Sequence, residues 1–333
     1  MRVLVVGAIS GATVDIGSSL AHAFAALGKE CHFLDFSEYH QEFCLLDSVR
    51  NDAEMHGFLI KLQTRLMEDV LLFKPSLIIG LAQSPLNNKD VLDAFRKSGI
   101  RLNYWFLEDF KVFSYWREIA YKFDYFFTIQ KSSIFEELRN LGCENGYYLP
   151  AAFDDLSVSS VTSDPLNKGE SLVSFVGAPY RNRIHVFNTL KIPGLEIYGE
   201  GWDGLNAAVK IGNRRITSEE RRSIYVNSKI NLNLHSSSHD EGDWSGDFVN
   251  PRTFEIAGLG GFQLTDPREL MSQHFDLISE MSVFKNASGM QDAIQYYSNH
   301  EAERHELAAN ARARVLKEHT YRHRAMEILS LAA

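Results

Sequence analysis

The chain has 333 residues, 45% of them hydrophobic, which is enough for a large core and favours two domains over one. Its formal net charge of -9 disfavours a protein that grips bulk nucleic acid or an anionic membrane, although a local basic pocket is compatible with it. Three cysteines (Cys31, Cys44 and Cys143) without metal-type spacing fit a reducing cytoplasm, and no apolar run approaches the ~18 residues of a membrane-spanning helix.

In chain order, apolar runs of strand length alternate with helical patterns. The first set is "RVLVVG" (2–7), "ECHFLDF" (30–36), "SLIIGL" (76–81), "RLNYWFL" (101–107), "YFFTI" (125–129) and "GYYLP" (146–150). Intervening segments such as "SSLAHAFAALG" and "SSIFEELRNLG" end in Gly, as helix C-termini often do. A polar stretch rich in Ser and Asp (154–170) reads as a linker. The alternation restarts with "SLVSFVG" (171–177), "LEIYGE" (195–200), "KINLNLH" (229–235), "GFQLTD" (261–266) and "SVFKN" (282–286). The tail from about 287 to 331 reads as helix throughout, with Tyr296, Ala308, Val315 and Ile328 among its buried positions.

Unbroken apolar strands alternating with helices imply parallel sheets covered on both faces. The expected fold class is α/β, two Rossmann-like domains with parallel sheets facing across a cleft. In such sheets ligands bind beyond the carboxyl ends of the strands, so five post-strand loops are the candidates. The loop "GAISGATVDIGSSL" carries Gly7, Gly11 and Gly17 without the G-x-G-x-x-G spacing, which weakens a dinucleotide reading. Gly11 and Asp15 are its candidate acceptor-side residues. In "FVGAPYRNR", Gly177 lets the backbone turn, and Arg181 and Arg183 stand near a helix start, where cations suit a bound anion. In "NPRTFEIAGLGG", Asn250 is a good N-cap, Pro251 a good first residue and Gly260 a good stop; Arg252, Thr253 and Glu255 lie in its first turns. The alternative is that Arg252 and Glu255 form an exposed surface pair. "HSSSHDEGDWSGD" offers His235, His239 and Asp240, a weak metal pattern better read as a polar active-site loop. "FLEDF" offers Glu108 and Asp109 as general base or as a cap for the next helix.

The segments "FVGAPYRNR", "IYGEGW", "YVNSKINLNLH", "NPRTFEIAGLGGFQLTD" and "HTYRHRAMEIL" resemble the CgeB-like (spore maturation protein) glycosyltransferases, of GT-B fold, with their "glycosyl transferases group 1" domain. The first half matches more loosely, through "YKFDYFFTIQKSSIFEELRNLG" and "YLPAAFD". The resemblance implies an acceptor-side domain over 1–153, the linker over 154–170, a nucleotide-sugar domain over 171–318, and a helix over 319–333 crossing back to the first domain. Related retaining enzymes carry E-x7-E; the spacing survives here as Asp247 and Glu255, with Asp in place of the first Glu. Glu255 would then hold the ribose, Asn250 to Arg252 the diphosphate, Arg183 with Arg181 its other side, and Gly199 the vicinity of the base. Glu108, Asp109 and Asp247 are the catalytic candidates. The implied reaction is metal-independent transfer from a UDP- or dTDP-type sugar to an unidentified hydroxyl or amine, without a further cofactor, in the cytoplasm. No nucleic-acid or integral-membrane partner is implied, and a homodimer is left open. The rivals are a nucleotide-sugar epimerase or phosphorylase, an NAD-linked oxidoreductase, and a non-catalytic nucleotide-binding or assembly module.

Overall fold

The computed structural model describes residues 1–11, 13–156, 171–205, 210–237 and 246–331. It divides into two compact units, Met1–Pro150 with the last helix, and Ala151–Thr320.

The first unit is a parallel sheet of β1 (Arg2–Val6), β2 (Glu30–Leu34), β3 (Leu77–Leu81), β4 (Arg101–Phe106), β5 (Tyr125–Thr128) and β6 (Gly146–Tyr148), in the order β2-β1-β3-β4-β5-β6. Both faces are covered, so β3 is buried at every residue and needs an unbroken apolar run. Its helices are α1 (Val14–Ala26), α2 (His40–Val49), α3 (Asp52–Phe73), α4 (Lys89–Lys97) and α5 (Ile134–Asn140). The glycines of the first loop answer to packing: a Cβ on Gly7 or Gly17 would stand 2.9 or 2.4 Å from Cε2 of Phe33.

The second unit holds β7 (Ser171–Val176), α6 (Arg181–Thr189), β8 (Leu195–Gly199), β9 (Lys210–Asn213), α7 (Ser218–Asn227), β10 (Ser228–Asn233), α8 (Pro251–Leu259), β11 (Gln263–Thr265), β12 (Ser282–Val283), α9 (Ala287–Asn299) and α10 (Glu301–Glu318). Its parallel sheet runs β12-β11-β10-β7-β8-β9, the doubly wound order that reverses between β7 and β10. Phe175, Val173, Ile230, Leu232 and Trp202 centre its core. The last helix, α11 (Tyr321–Leu331), packs on α1 of the first unit. Arg324 Nε donates to the Pro150 carbonyl at 2.7 Å, and Tyr321 meets Trp105 edge-on.

Several readings of the sequence are corrected. The tail is three helices, broken at His300 and again at His319–Thr320, where the backbone leaves helical angles. Tyr296 is 45% exposed, its ring stacked on His300 and its hydroxyl donating to Glu303 at 2.8 Å. Ala308, Val315 and Ile328 are buried. Strand β9 was not foreseen, because "KIGN" is a short, polar edge strand without an apolar run. The division between units falls at Pro150, so residues 151–153 side with the second unit. There the Phe153 N–H donates to the His319 carbonyl at 2.8 Å and its ring lies against Gly258, where a Cβ would meet it at 2.3 Å. Of the linker stretch, residues 157–170 lie outside the described residues.

Candidate anion-binding site of the second unit

The carboxyl ends of β7 and β10 lie side by side where the strand order reverses, and the chemistry of the second unit gathers there. Beyond β10 the chain leads to α8, built by local rules. Asn250 caps it, its Oδ1 accepting from the Thr253 N–H at 3.0 Å; Pro251 is the first helical residue; Gly260, at φ 79°, ends it.

Arg252, in the first turn, reaches back over the sheet. Its Cζ stands 5.0 Å from the centre of the Phe175 ring, and Nη1 donates to Asn233 Oδ1 at 3.2 Å. Arg183 comes from α6 to the same ring, at 5.2 Å. It binds main chain on both sides of the reversal: Nε and Nη2 donate to the Leu234 carbonyl at 3.1 and 2.7 Å, and Nη1 to the Ala178 carbonyl at 2.9 Å. Both guanidinium groups press on Gly177, where a Cβ would lie 2.6 Å from Arg252 Nη2 and 3.3 Å from Arg183 Nη1. Any side chain there would displace Arg252. Burial, and then the Arg252 charge, push Arg183 down to about 9, so it remains protonated at neutral pH but is held at a cost that an anion would relieve. Among the described residues, no carboxylate lies within ion-pair distance of either arginine.

Glu255 does not pair with Arg252. Its Oε1 accepts from Arg221 Nε of α7 at 2.7 Å, both side chains partly exposed, so the surface-pair alternative for Arg252 and Glu255 does not hold. Gly199 is tied to Gly177: it sits at φ 135°, and a Cβ would meet the Gly177 carbonyl oxygen at 2.4 Å. That oxygen accepts from Trp202 Nε1 at 2.9 Å. Arg181 is exposed and Asp247 is buried.

Beneath the arginines lies a buried polar layer that sequence reasoning missed. Asn233 Nδ2 donates to Thr253 Oγ1 and Gln263 Oε1, while its Oδ1 also accepts from Asn250 Nδ2 at 2.9 Å. Asn231 accepts from the Ser174 hydroxyl and donates to the Tyr225 and Phe262 carbonyls. The signal was available: "NLNLH" alternates, putting Asn231, Asn233 and His235 on one face of a central strand that otherwise reads as apolar.

His235 ends that face and is fully buried. Its Nδ1 bonds Asp266 Oδ1 at 2.7 Å, and Nε2 accepts from the Asn250 N–H at 3.1 Å. Asp266 also binds Arg268 through its other oxygen. Both ring nitrogens are engaged, so His235 holds the entry to α8 and is not disposed to ligate a metal; His239 and Asp240 lie outside the described residues. Asn182 of α6 fixes the same turn, donating to the His235 carbonyl at 2.9 Å and accepting from the Ser237 N–H.

Burial, outweighing the Asp266 carboxylate, pushes His235 down to about 4, whereas the unfolded side chain titrates near 6.5. Between these values the unfolded chain binds the extra proton, so stability falls as pH drops through that window. The expected loss is on the order of 3 kcal/mol. Urea titrations from pH 7 to 4 check it: His235→Asn, which does not titrate, should lose that part of the slope relative to wild type.

In the first unit, Gly11, Gln83 and Glu108 meet at the carboxyl ends of β1, β3 and β4. Gly11, at φ 88°, packs on the Gln83 amide, which donates to Glu108 Oε1. Tyr115 donates to Glu108 Oε2 at 2.6 Å. Burial raises the Glu108 carboxyl above the usual range, with Tyr115 and Gln83 opposing the shift. Asp109 does turn work: its Oδ1 accepts from the Lys111 N–H at 3.0 Å. The Asp15 carbonyl accepts from the Ser18 and Ser19 hydroxyls within α1.

Residues 182–330 match a family model described as "Glycosyl transferase-like". The match spans less than half of the chain, and over that segment the chain is similar to glycosyl transferases. Solved structures share the architecture of the chain around that segment. A sucrose-phosphate synthase from Thermosynechococcus elongatus aligns at 12% identity over 100% of this chain and 98% of its own, TM-score 0.67. HepE from Anabaena, in complex with UDP and glucose, aligns at 12% identity over all of both chains, TM-score 0.66. A UDP-forming α,α-trehalose-phosphate synthase from Burkholderia xenovorans aligns at 12% identity over 99% and 98%, TM-score 0.61. At these identities the likeness speaks for the GT-B fold. No curated protein sequence matches the chain. In the matched segment, the block "NPRTFEIAGLGG" is α8 and its caps, and "YVNSKINLNLH" supplies the amide layer beneath them. Among the described residues, no helix is long and apolar enough to cross a membrane, and no three His, Cys, Asp or Glu side chains are grouped to hold a metal.

Proposed function

We propose that the protein transfers a sugar from a nucleoside-diphosphate sugar, of UDP or dTDP type, to an acceptor hydroxyl or amine. The observation that carries this reading is the pair of guanidinium groups at Gly177, two like charges held together at the strand reversal beside the N-terminus of α8. A diphosphate in contact with both would relieve their repulsion and take the negative charge that grows as the anomeric bond breaks. Arg252 in the first turn of α8 faces that anion, and Asn250 and Thr253 hold the turn in place from below. Arg183 acts as a fixed charge behind it, and Arg181, the exposed first residue of α6, adds to the field. Glu255, steadied by Arg221, takes the ribose hydroxyls; the backbone at Gly199 borders the base; Asp247 stands on the sugar side. With this positive charge in place the reaction needs no metal. The UDP held by HepE favours uridine as the base here, and "NPRTFEIAGLGG" supports a CgeB-like affiliation. Three sparse cysteines fit a cytoplasmic setting.

Thermal unfolding with UDP, dTDP, GDP, ADP, CMP and NAD tests the reading. A ligand at 100 times its dissociation constant adds about 2.7 kcal/mol. One nucleoside diphosphate should stabilise wild type and lose that effect with Glu255→Ala. Stabilisation by NAD alone would refute the transferase reading.

A further inference from the structure

The first unit presents a second polar site at the carboxyl edge of its sheet, and its chemistry is opposite in sign. The strand order of this sheet turns between β1 and β3, and there Thr13 Oγ1 donates to the Ala82 carbonyl at 3.2 Å while the Ile9 N–H donates to the Gln83 carbonyl at the same distance. Gln83 is held at φ 63°, a left-handed backbone, so its amide reaches Glu108. The Gln83 N–H in turn donates to the Tyr115 hydroxyl at 3.0 Å. Gln83, Glu108 and Tyr115 are each half-buried, and so remain reachable from solvent.

Behind them stand two hydroxyls with no hydrogen-bond partner of good geometry, Tyr104 and Ser84, both more than nine-tenths buried. Tyr104 lies beside Ser84, Tyr115 and Glu108. A ligand hydroxyl that donates to Glu108 takes the place of the Tyr115 hydroxyl, which keeps the Gln83 N–H as its donor and has the Tyr104 hydroxyl beside it.

The surrounding charges select what enters. The described loop residues 7–11, 13, 35–39, 82–88, 107–115 and 129–133 contain the carboxylates Asp35, Glu38, Glu108 and Asp109, with Asp15 just inside α1. Their cations are Lys111 and Lys131, whose ammonium groups lie over the Phe110 and Tyr148 rings. The guanidinium forks beside these loops are already engaged, Arg65 with Asp69 at 2.7 Å and Glu38 at 3.5 Å and Arg117 with Glu137 at 2.6 Å, which leaves them turned to carboxylates and not to a phosphate.

We infer that this site binds a neutral, polyhydroxylated acceptor, a sugar donating its hydroxyls to Glu108 and accepting from Gln83 and Tyr115, and that it rejects phosphate esters of sugars. The inference rests on the reading of the second unit as the donor side, which leaves the carboxyl edge of the first sheet for the acceptor.

Saturation-transfer NMR on the full chain, without nucleotide, reads the acceptor site alone. The probe is a mixture of neutral mono- and disaccharides with their 6-phosphate esters. Neutral sugars should show transfer on wild type, reduced at least fivefold in Glu108→Gln and in Gln83→Asn, a residue that tolerates the left-handed backbone but falls short of Glu108. The phosphate esters should show none. Preference for the esters, no transfer to any neutral sugar, or an undiminished signal in both variants would overturn the inference. Calorimetric UDP binding on the same samples should be equal in wild type and variants. Its absence throughout would strike the donor reading while the sugar signal still decided the acceptor class.

Discussion

Arg252→Ala is expected to weaken UDP binding by about 10- to 100-fold, the 1.5–3 kcal/mol of a charge-assisted contact, without lowering the unfolding temperature of the free protein. The two halves of this result come from one feature. In the free protein Arg252 donates to Asn233 Oδ1 at 3.2 Å and to the Leu234 carbonyl at 3.5 Å, reaches the Tyr225 hydroxyl and lies over the Phe175 ring, and the Asn233 oxygen keeps its bond from Asn250 when the guanidinium is removed. Against the lost contacts stands a gain, because Arg183 no longer faces a second cation in a buried setting. Stability should therefore stay level or rise slightly, while the ligand loses a charge-bearing partner. A residue kept for structure would behave in the opposite way, costing unfolding temperature and leaving affinity alone. Calorimetric titration with UDP, paired with thermal unfolding of the free protein, separates the two. Unchanged affinity for UDP would sink the assignment of the diphosphate to this edge. Arg252→Lys, which keeps the charge and loses the fork, should fall between.

Asp266→Asn should cost 3–5 kcal/mol or thereabouts, roughly 10 °C in unfolding temperature. Burial alone would raise the Asp266 carboxyl, but His235 and Arg268 outweigh it and hold the group well below the usual carboxylate range. Asn preserves the shape and an oxygen to accept from the His235 N–H and Nδ1. What it removes is the charge opposite Arg268, a guanidinium in an enclosed site. Arg268 stands below Gly246, where a Cβ would lie 2.7 Å from its Nη1, and over the Phe248 ring, so its displacement would move the segment leading into α8. Nucleotide binding should therefore weaken along with stability, unlike the Arg252 variant. The double variant Asp266→Asn/Arg268→Gln should recover part of the loss, because it also removes the buried cation that Asp266 balances. A single variant as stable as wild type would refute this account of the triad.

Much of the fold was legible in local sequence. Among the described residues, eleven of the twelve strands announce themselves as apolar runs, because parallel strands covered on both faces must be apolar nearly throughout. The caps of α8 follow from residue chemistry alone: an Asn side chain to accept, a Pro without an N–H to strand, and a Gly free to take positive φ. The candidate arginines were found the same way, as cations where a helix start disfavours them. Local sequence was blind to β9, an edge strand whose pairing rests on main chain.

The sequence by itself determined the alternation of strands and helices, the two-part organisation, and the residue types available at each strand end. These depend on periodicity and on neighbours a few positions away. Partner choice was decided only by the tertiary structure. Glu255 pairs with Arg221, 34 positions earlier, and Arg183 binds the Leu234 carbonyl from 51 positions away. Gly7 and Gly17 proved to be seats for the Phe33 ring, and His235 a buried brace for Asn250. The physical reason is common to all of them. A charge or a glycine shows in the sequence what it can do, while the desolvated contacts that select one use are made by residues that only the packed sheet brings within reach.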